Sequence, residues 1–205
     1  MKNYLQDIYK EPVNFSVDTM QSLGPLSHLA GEFSGSIGVD VKPKATGAKS
    51  QEYIETMRCF PIDPITNGPQ LIYGLRYHTH ITKPNQIKTY HEQVGYFLWE
   101  PQESIIYMTV SIPRGVTGIA SAIVPSNANA FTLTSTSMQS VPFLKAAFDT
   151  VSFTIDIIIH STDSWSYSQD TVLKIAGTND LFHHTDKNTL QRIQPPTPNP
   201  LAQKE

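Results

Sequence analysis

The chain has 205 residues, 39% of them hydrophobic and 16% charged, enough for one good-sized core and too few for two. A formal charge of -3, with no local run of Lys and Arg, argues against a nucleic-acid partner. The single Cys59 excludes an internal disulfide or a cysteine zinc cluster, and no segment reads as a signal peptide or membrane span, so the expectation is a cytoplasmic protein.

Residues 1–16 read as an N-terminal extension, 17–193 as the folded body and 194–205, "QPPTPNPLAQKE", as a Pro-rich tail that cannot join a helix or central strand. In "VDTMQSLGPLSHLAG", Met20, Leu23, Leu26 and Leu29 fall three apart while Gly24-Pro25 interrupts the backbone, which predicts a short helix or two half-turns. Beyond Gly31 the period becomes two. Runs of β-branched and aromatic residues alternate with polar ones between Gly, Pro, Asn and Asp. Ten runs are predicted: 32–41, 52–61, 71–81, 87–99, 104–112, 116–124, 130–137, 145–160, 164–175 and 182–193. Short connections and a single helical segment favour an all-β fold, a ten-stranded antiparallel up-and-down barrel with a short N-terminal helix. About eight strands is the size that side chains just fill, so ten predict a lumen with room for a ligand. A sandwich shares the same period.

Catalytic signatures are sparse: there is no nucleophile elbow, no P-loop and no dinucleotide fingerprint. Seven histidines remain, the side chains that serve both as metal ligand and as proton carrier. His78 and His80, with Arg76, form a polar stripe on one strand face. His91 shares a face with Gln93 and Gly95, opposite Tyr90, and alternation alone reads it as a hydrogen-bonded wall residue.

Three landmarks in order change that reading. "LGPLSHLAGEFSG" resembles the opening of the nitrobindin-like haem-binding β-barrels, also called fatty-acid-binding-protein-like, with Phe33 where the family has tryptophan. "HEQVGY" is similar to the family's His-x-Glu-x-Gly-Tyr strand, with Gln93 in the glutamate position. "SIPRGV" is similar to its His-Pro-x-Gly-Val hairpin, with Ile112 in the histidine position before Pro113 and Gly115. The resemblance implies a barrel holding b-type haem near one open end, a proximal histidine on the last strand, and His91 with Tyr90 on the distal side. Phe33, Pro113 and Gly115 enter the expected haem-contacting set on the same grounds. The family's ligand position, counted back from "TLQRI" without a gap, falls on Thr185, and a register change brings His183 or His184 there. Counting forward from Gly177 puts His183 on the inward parity, while His184 would need a bulge. Either imidazole could bind iron with a carboxylate on its other nitrogen; otherwise His184, Asp186 and Asn188 form a polar network.

The resemblance implies nitric oxide binding and isomerisation of peroxynitrite to nitrate, with catalytic residues unassigned. The other reading is a non-catalytic carrier of a fatty acid or other small hydrophobic ligand, with Arg76, Arg114 and Arg192 as candidates for a carboxylate clamp. A third is a barrel that acts through its outer surface.

Overall fold

The computed structural model describes residues 7–13 and 15–199. Its ten strands close into one antiparallel barrel in which each strand pairs with its sequence neighbours and the last pairs with the first. They are β1 (Gly31–Lys44), β2 (Gly47–Asn67), β3 (Gln70–Thr82), β4 (Thr89–Glu100), β5 (Ile105–Ile112), β6 (Val116–Ile123), β7 (Ala130–Ser140), β8 (Phe148–Ser161), β9 (Ser164–Ile175) and β10 (Leu181–Gln194). The all-β barrel read from the period-two pattern is therefore the fold. The interrupted helical segment is two pieces: α1 (Thr19–Ser22), capped by the Asp18 carboxylate on the Gln21 amide, and a 3-10 helix (Gly24–Leu29) with Pro25 in its first turn. A second short helix, α2 (Pro142–Lys145), occupies the β7–β8 connection, so the strand expected from residue 145 begins at Phe148. Pro142 at its first turn favours the helical start.

Up-and-down winding puts alternate connections at opposite ends. The chain start, the 3-10 helix and the end of β10 share one end, which is closed. Leu23, Leu26 and Leu29 are fully buried there under Phe33, Trp99 and Trp165. Gly24 has φ +54 and sits so near Trp99 that a Cβ would meet the indole at 2.7 Å, so the sharp turn into the plug requires glycine. Arg192 fastens this end: its guanidinium donates to the carbonyls of His28, Ala30 and Thr162, pairs with Asp163 at 2.9 Å and lies over the Phe33 ring. Part of the expected N-terminal extension packs on the body, since Phe15 touches the core and the Tyr73 hydroxyl donates to the Ser16 carbonyl. Residues 1–6, 14 and 200–205 of the expected extension and tail lie outside the described residues.

The other end is the mouth, formed by the turns β1–β2, β3–β4, β5–β6, β7–β8 and β9–β10. Between the ends the lumen is not hollow. The apolar core fills the half nearer the plug, and above it lies a polar layer in which fully buried Glu55 accepts from the Tyr167 hydroxyl and Asn188 Nδ2, while Tyr53 and Tyr167 share a hydrogen bond of 2.8 Å. Gly35 and Gly38, flanking a bulge in β1, make room for it: a Cβ on Gly38 would lie 2.2 Å from the Tyr53 ring.

Candidate functional site

At the mouth the inner wall carries both apolar and polar side chains. Val110 of β5, Val116 of β6, Leu173 of β9 and Ile81 of β3 are buried and supply the apolar part. The polar part comes from β1, β10 and β4. Asp40 of β1 faces Asp186 of β10 in register, and His184 lies one inward position above Asp186. His184 Nε2 is 2.6 Å from Asp40 Oδ1 and 3.7 Å from Asp186 Oδ2. The three donor groups lie within 4.8 Å of one another.

The expected parity of β10 is reversed. Leu190 and Asn188 are buried, so the even-numbered residues face inward and His184 points in without a bulge. His183 faces out with 63% of its side chain exposed, its Nδ1 2.6 Å from Asp170 Oδ2. Thr185, the ungapped ligand position, lies on that outer face too.

β4 carries its own departure from alternation. Ile81 pairs with His91 and Thr82 with Thr89, leaving Tyr90 as an extra residue in a bulge. Alternation predicts Tyr90 outward; the bulge turns it in beside His91. Its hydroxyl donates to Asp40 Oδ2 and accepts from Lys42 Nζ, while the ammonium groups of Lys42 and Lys83 lie 4.3 and 5.2 Å from its ring centroid. Asp40 therefore ties β1, β4 and β10 together. His91 Nε2 meets Gln93 Oε1 at 3.3 Å, and Gln93 donates to the Tyr77 hydroxyl.

Burial and mutual charge set the protonation of this group. Burial acts to raise Asp40, but hydrogen bonds from His184 and Tyr90 outweigh it and hold the carboxyl below its ordinary value. Burial disfavours charge on His184, yet the Asp40 hydrogen bond and the charges of Asp186 and Asp40 leave its pKa raised. Burial, reinforced by the Asp40 charge, pushes Asp186 up to about 7. Burial lowers His91, keeping that ring neutral at neutral pH, and burial with the neighbouring Asp40 raises Tyr90.

The other expected contacts divide between the two ends. Pro113 and Gly115 lie in the β5–β6 hairpin at the mouth, flanking Arg114, which donates to the Tyr90 carbonyl. Phe33 is not brought to this site: it is core at the closed end, edge-on to Trp165 with centroids 5.8 Å apart. Among the clamp candidates Arg192 is a closed-end fastening and Arg76 sits on the outer face of β3, which leaves Arg114 at the mouth. His78 and His80 are the outer polar stripe, bonded to Glu92 and Thr89. Asp40 and Lys42 were missed as site residues, although "GVDVK" puts a carboxylate and an ammonium at alternate positions of a strand otherwise read as wall.

Two outer concavities, of about 270 and 380 Å³, lie beside Ile37 and Lys187 and beside Ile62 and Leu98; neither is lined by His91 or His184. The profile of the THAP4-like, heme-binding beta-barrel domain matches residues 22–192. The chain belongs to this family. The crystal structure of Rv2717c from M. tuberculosis is similar in fold, with a TM-score of 0.58 and 19% identity over 85% of this chain and 97% of that one. No curated protein sequence matches. The family is one of heme-binding barrels, and the residues at the mouth fit a haem in kind. With Nε2 held by Asp40, His184 Nδ1 has no hydrogen bond among the described residues, and a ligating imidazole commonly has a carboxylate on its other nitrogen. The apolar wall of Val110, Val116 and Leu173 suits the faces of a porphyrin. No helix among the described residues is long and apolar enough to cross a membrane.

Proposed function

We propose that this chain binds b-type haem at the barrel mouth, where His184 would hold the iron and His91 with Tyr90 would line the far side of the pocket. One observation carries the reading: His184 points inward with Asp40 at 2.6 Å on Nε2, which leaves Nδ1 as a lone-pair donor. Asp40 does the orienting. It fixes the tautomer and the ring plane, and its negative charge makes the imidazole a stronger donor. Buried His91 stays neutral and brings no positive charge against a ligand on its side, while the apolar wall keeps water away from that space. A ferric haem held there would supply the iron chemistry for nitric oxide binding and for isomerisation of peroxynitrite to nitrate, the reaction we assign to this site. His183, turned out to Asp170, has no part in this site.

The test is a hemin titration followed at the Soret band. Wild type and His183→Ala sharpen the band alike, whereas His184→Ala weakens binding at least about 100-fold, as expected when an imidazole ligand is lost. A normal band in His184→Ala sinks the assignment. The carrier reading keeps one supporting observation, Arg114 and Lys42 at the mouth, which suit a carboxylate head. A lipid released from cell-purified protein in native mass spectra, with no hemin band, would favour it.

A further inference from the structure

The five turns at the mouth have a character that ligand binding in the lumen does not use. Each holds a basic residue in it or at the adjoining strand end: Lys44, Lys83, Lys88, Arg114, Lys145 and Lys174. Acids at these turns are fewer, Asp149 and Asp180, and Asp149 is paired with Lys145 at 3.7 Å. The closed end has the opposite sign: Asp18, Asp63, Glu100 and Glu103 lie at or near its turns, with Glu32 paired to Arg58 and Asp163 to Arg192. A net charge of -3 thus conceals a molecule with a positive mouth and a negative base.

Large apolar side chains stand among those cations. Ile87, at the tip of the β3–β4 turn, is 102% exposed, and Phe143 of α2 is 87% exposed. Val141, Phe148 and Leu181 on the neighbouring β7–β8 and β9–β10 turns are exposed as well. The turns are held together: the Val141 amide donates to the Gly115 carbonyl and the Ala176 amide to the Ala147 carbonyl. These side chains project from three separate turns, each with a lysine in it or at the adjoining strand end. A protein partner would need a matching pocket for each, whereas a fluid bilayer takes separate protrusions without one and attracts the lysines to its phosphates.

We propose that the barrel docks mouth-down on an anionic phospholipid bilayer, with Ile87 and Phe143 entering the acyl boundary and the basic turns lying over the headgroups. The charge asymmetry orients the approach, since the acidic base is repelled by the same surface. Docked this way, the mouth opens directly on the apolar phase, so a hydrophobic ligand passes between the bilayer and the mouth site without crossing water. The inference holds for any apolar ligand and is independent of the haem assignment.

The test is co-sedimentation of the full chain, with and without hemin, with vesicles of equal parts phosphatidylglycerol and phosphatidylcholine, compared with phosphatidylcholine alone. The protein pellets with the anionic vesicles and not with the neutral ones. Lys83→Glu with Lys88→Glu lowers the partition coefficient about tenfold or more, and so does Ile87→Asp with Phe143→Asp. Ile123→Asp, at a residue 80% exposed at the closed end, leaves it unchanged. Ile87, Lys88, Ile123 and Phe143 are exposed and Lys83 is half-buried beside the Tyr90 ring, and equal melting curves verify the fold of each variant. The proposal is overturned if anionic vesicles bring down no protein, if neutral vesicles bring down as much, or if Ile123→Asp matches the mouth variants. It is also overturned if sedimentation equilibrium shows Ile87 and Phe143 holding two copies together with no vesicle binding.

Discussion

Glu55 is an ionisable side chain with no exposure to speak of, and its Oε2 accepts from both the Tyr167 hydroxyl and Asn188 Nδ2. Burial outweighs those two bonds and pushes its pKa from 4.5 up to about 7. The folded state therefore holds this proton more tightly than the unfolded chain does. The associated stability is complete below about pH 4.5 and is lost as pH rises through about 7, a contribution on the order of 3 kcal/mol. Asp186, raised to about 7, adds to the loss over the same window. Glu55→Gln keeps an oxygen to accept both bonds and removes the ionisation. Denaturant melts from pH 5 to pH 8 are expected to show roughly half the wild-type decline in this variant, which becomes the more stable protein at pH 8. An unchanged slope would mean that Glu55 does not titrate in this range. The two adjacent histidines show, at the same scale, how far one side chain could be placed from sequence. Phe182 and Leu190 share the even face of "FHHTDKNTLQ", while the odd face has no apolar residue, so alternation within β10 already pointed to His184. Counting forward from Gly177 failed because the five-residue turn between β9 and β10 fixes no parity.

The strands themselves were legible because the core needs an unbroken period of two; β9 spans 164–175 as expected, and most other ends fall within a few residues. β2 is the main exception. It runs on through Pro61 and Pro64 to Asn67, past the expected stop at 61, and a register shift between Ile62 and Ile65 accommodates Pro64. Bulges were not legible, because an extra residue leaves no mark on composition. The bulge in β4 decides the site, since it turns Tyr90 inward to Asp40 across a mouth where β2 and β3 separate their strands. That bond crosses the mouth at which we place the haem, so on that reading ligand entry has to open it. Tyr90→Phe removes the hydroxyl and leaves the ring under Lys42 and Lys83. The expected outcome is a faster hemin on-rate in stopped flow, by about 3- to 10-fold, matching the roughly 1 kcal/mol that such a bond contributes net. A slower or unchanged rate would show that the Tyr90–Asp40 contact does not gate the mouth.

Over the whole molecule, the plug and the mouth do different work and are coupled only weakly. The closed end concentrates the buried apolar packing and the Arg192 fastening, whereas the mouth holds the buried Asp40–His184–Asp186 group and the candidate ligand set. Sites so separated, with no shared partners, should contribute to stability additively. Arg192→Ala leaves the carbonyls of His28, Ala30 and Thr162 without their donor, and the exposed Asp163 adds little, so a loss of about 2–4 kcal/mol is expected. Hemin at about 100 times its Kd should return about 2.7 kcal/mol, or roughly 5–10 °C in Tm for a chain of this size. That increment should be the same in wild type and Arg192→Ala and absent in His184→Ala, as differential scanning fluorimetry can check. A hemin shift that shrinks in Arg192→Ala would mean that the plug sets the shape of the mouth, and that the barrel transmits strain along its full length.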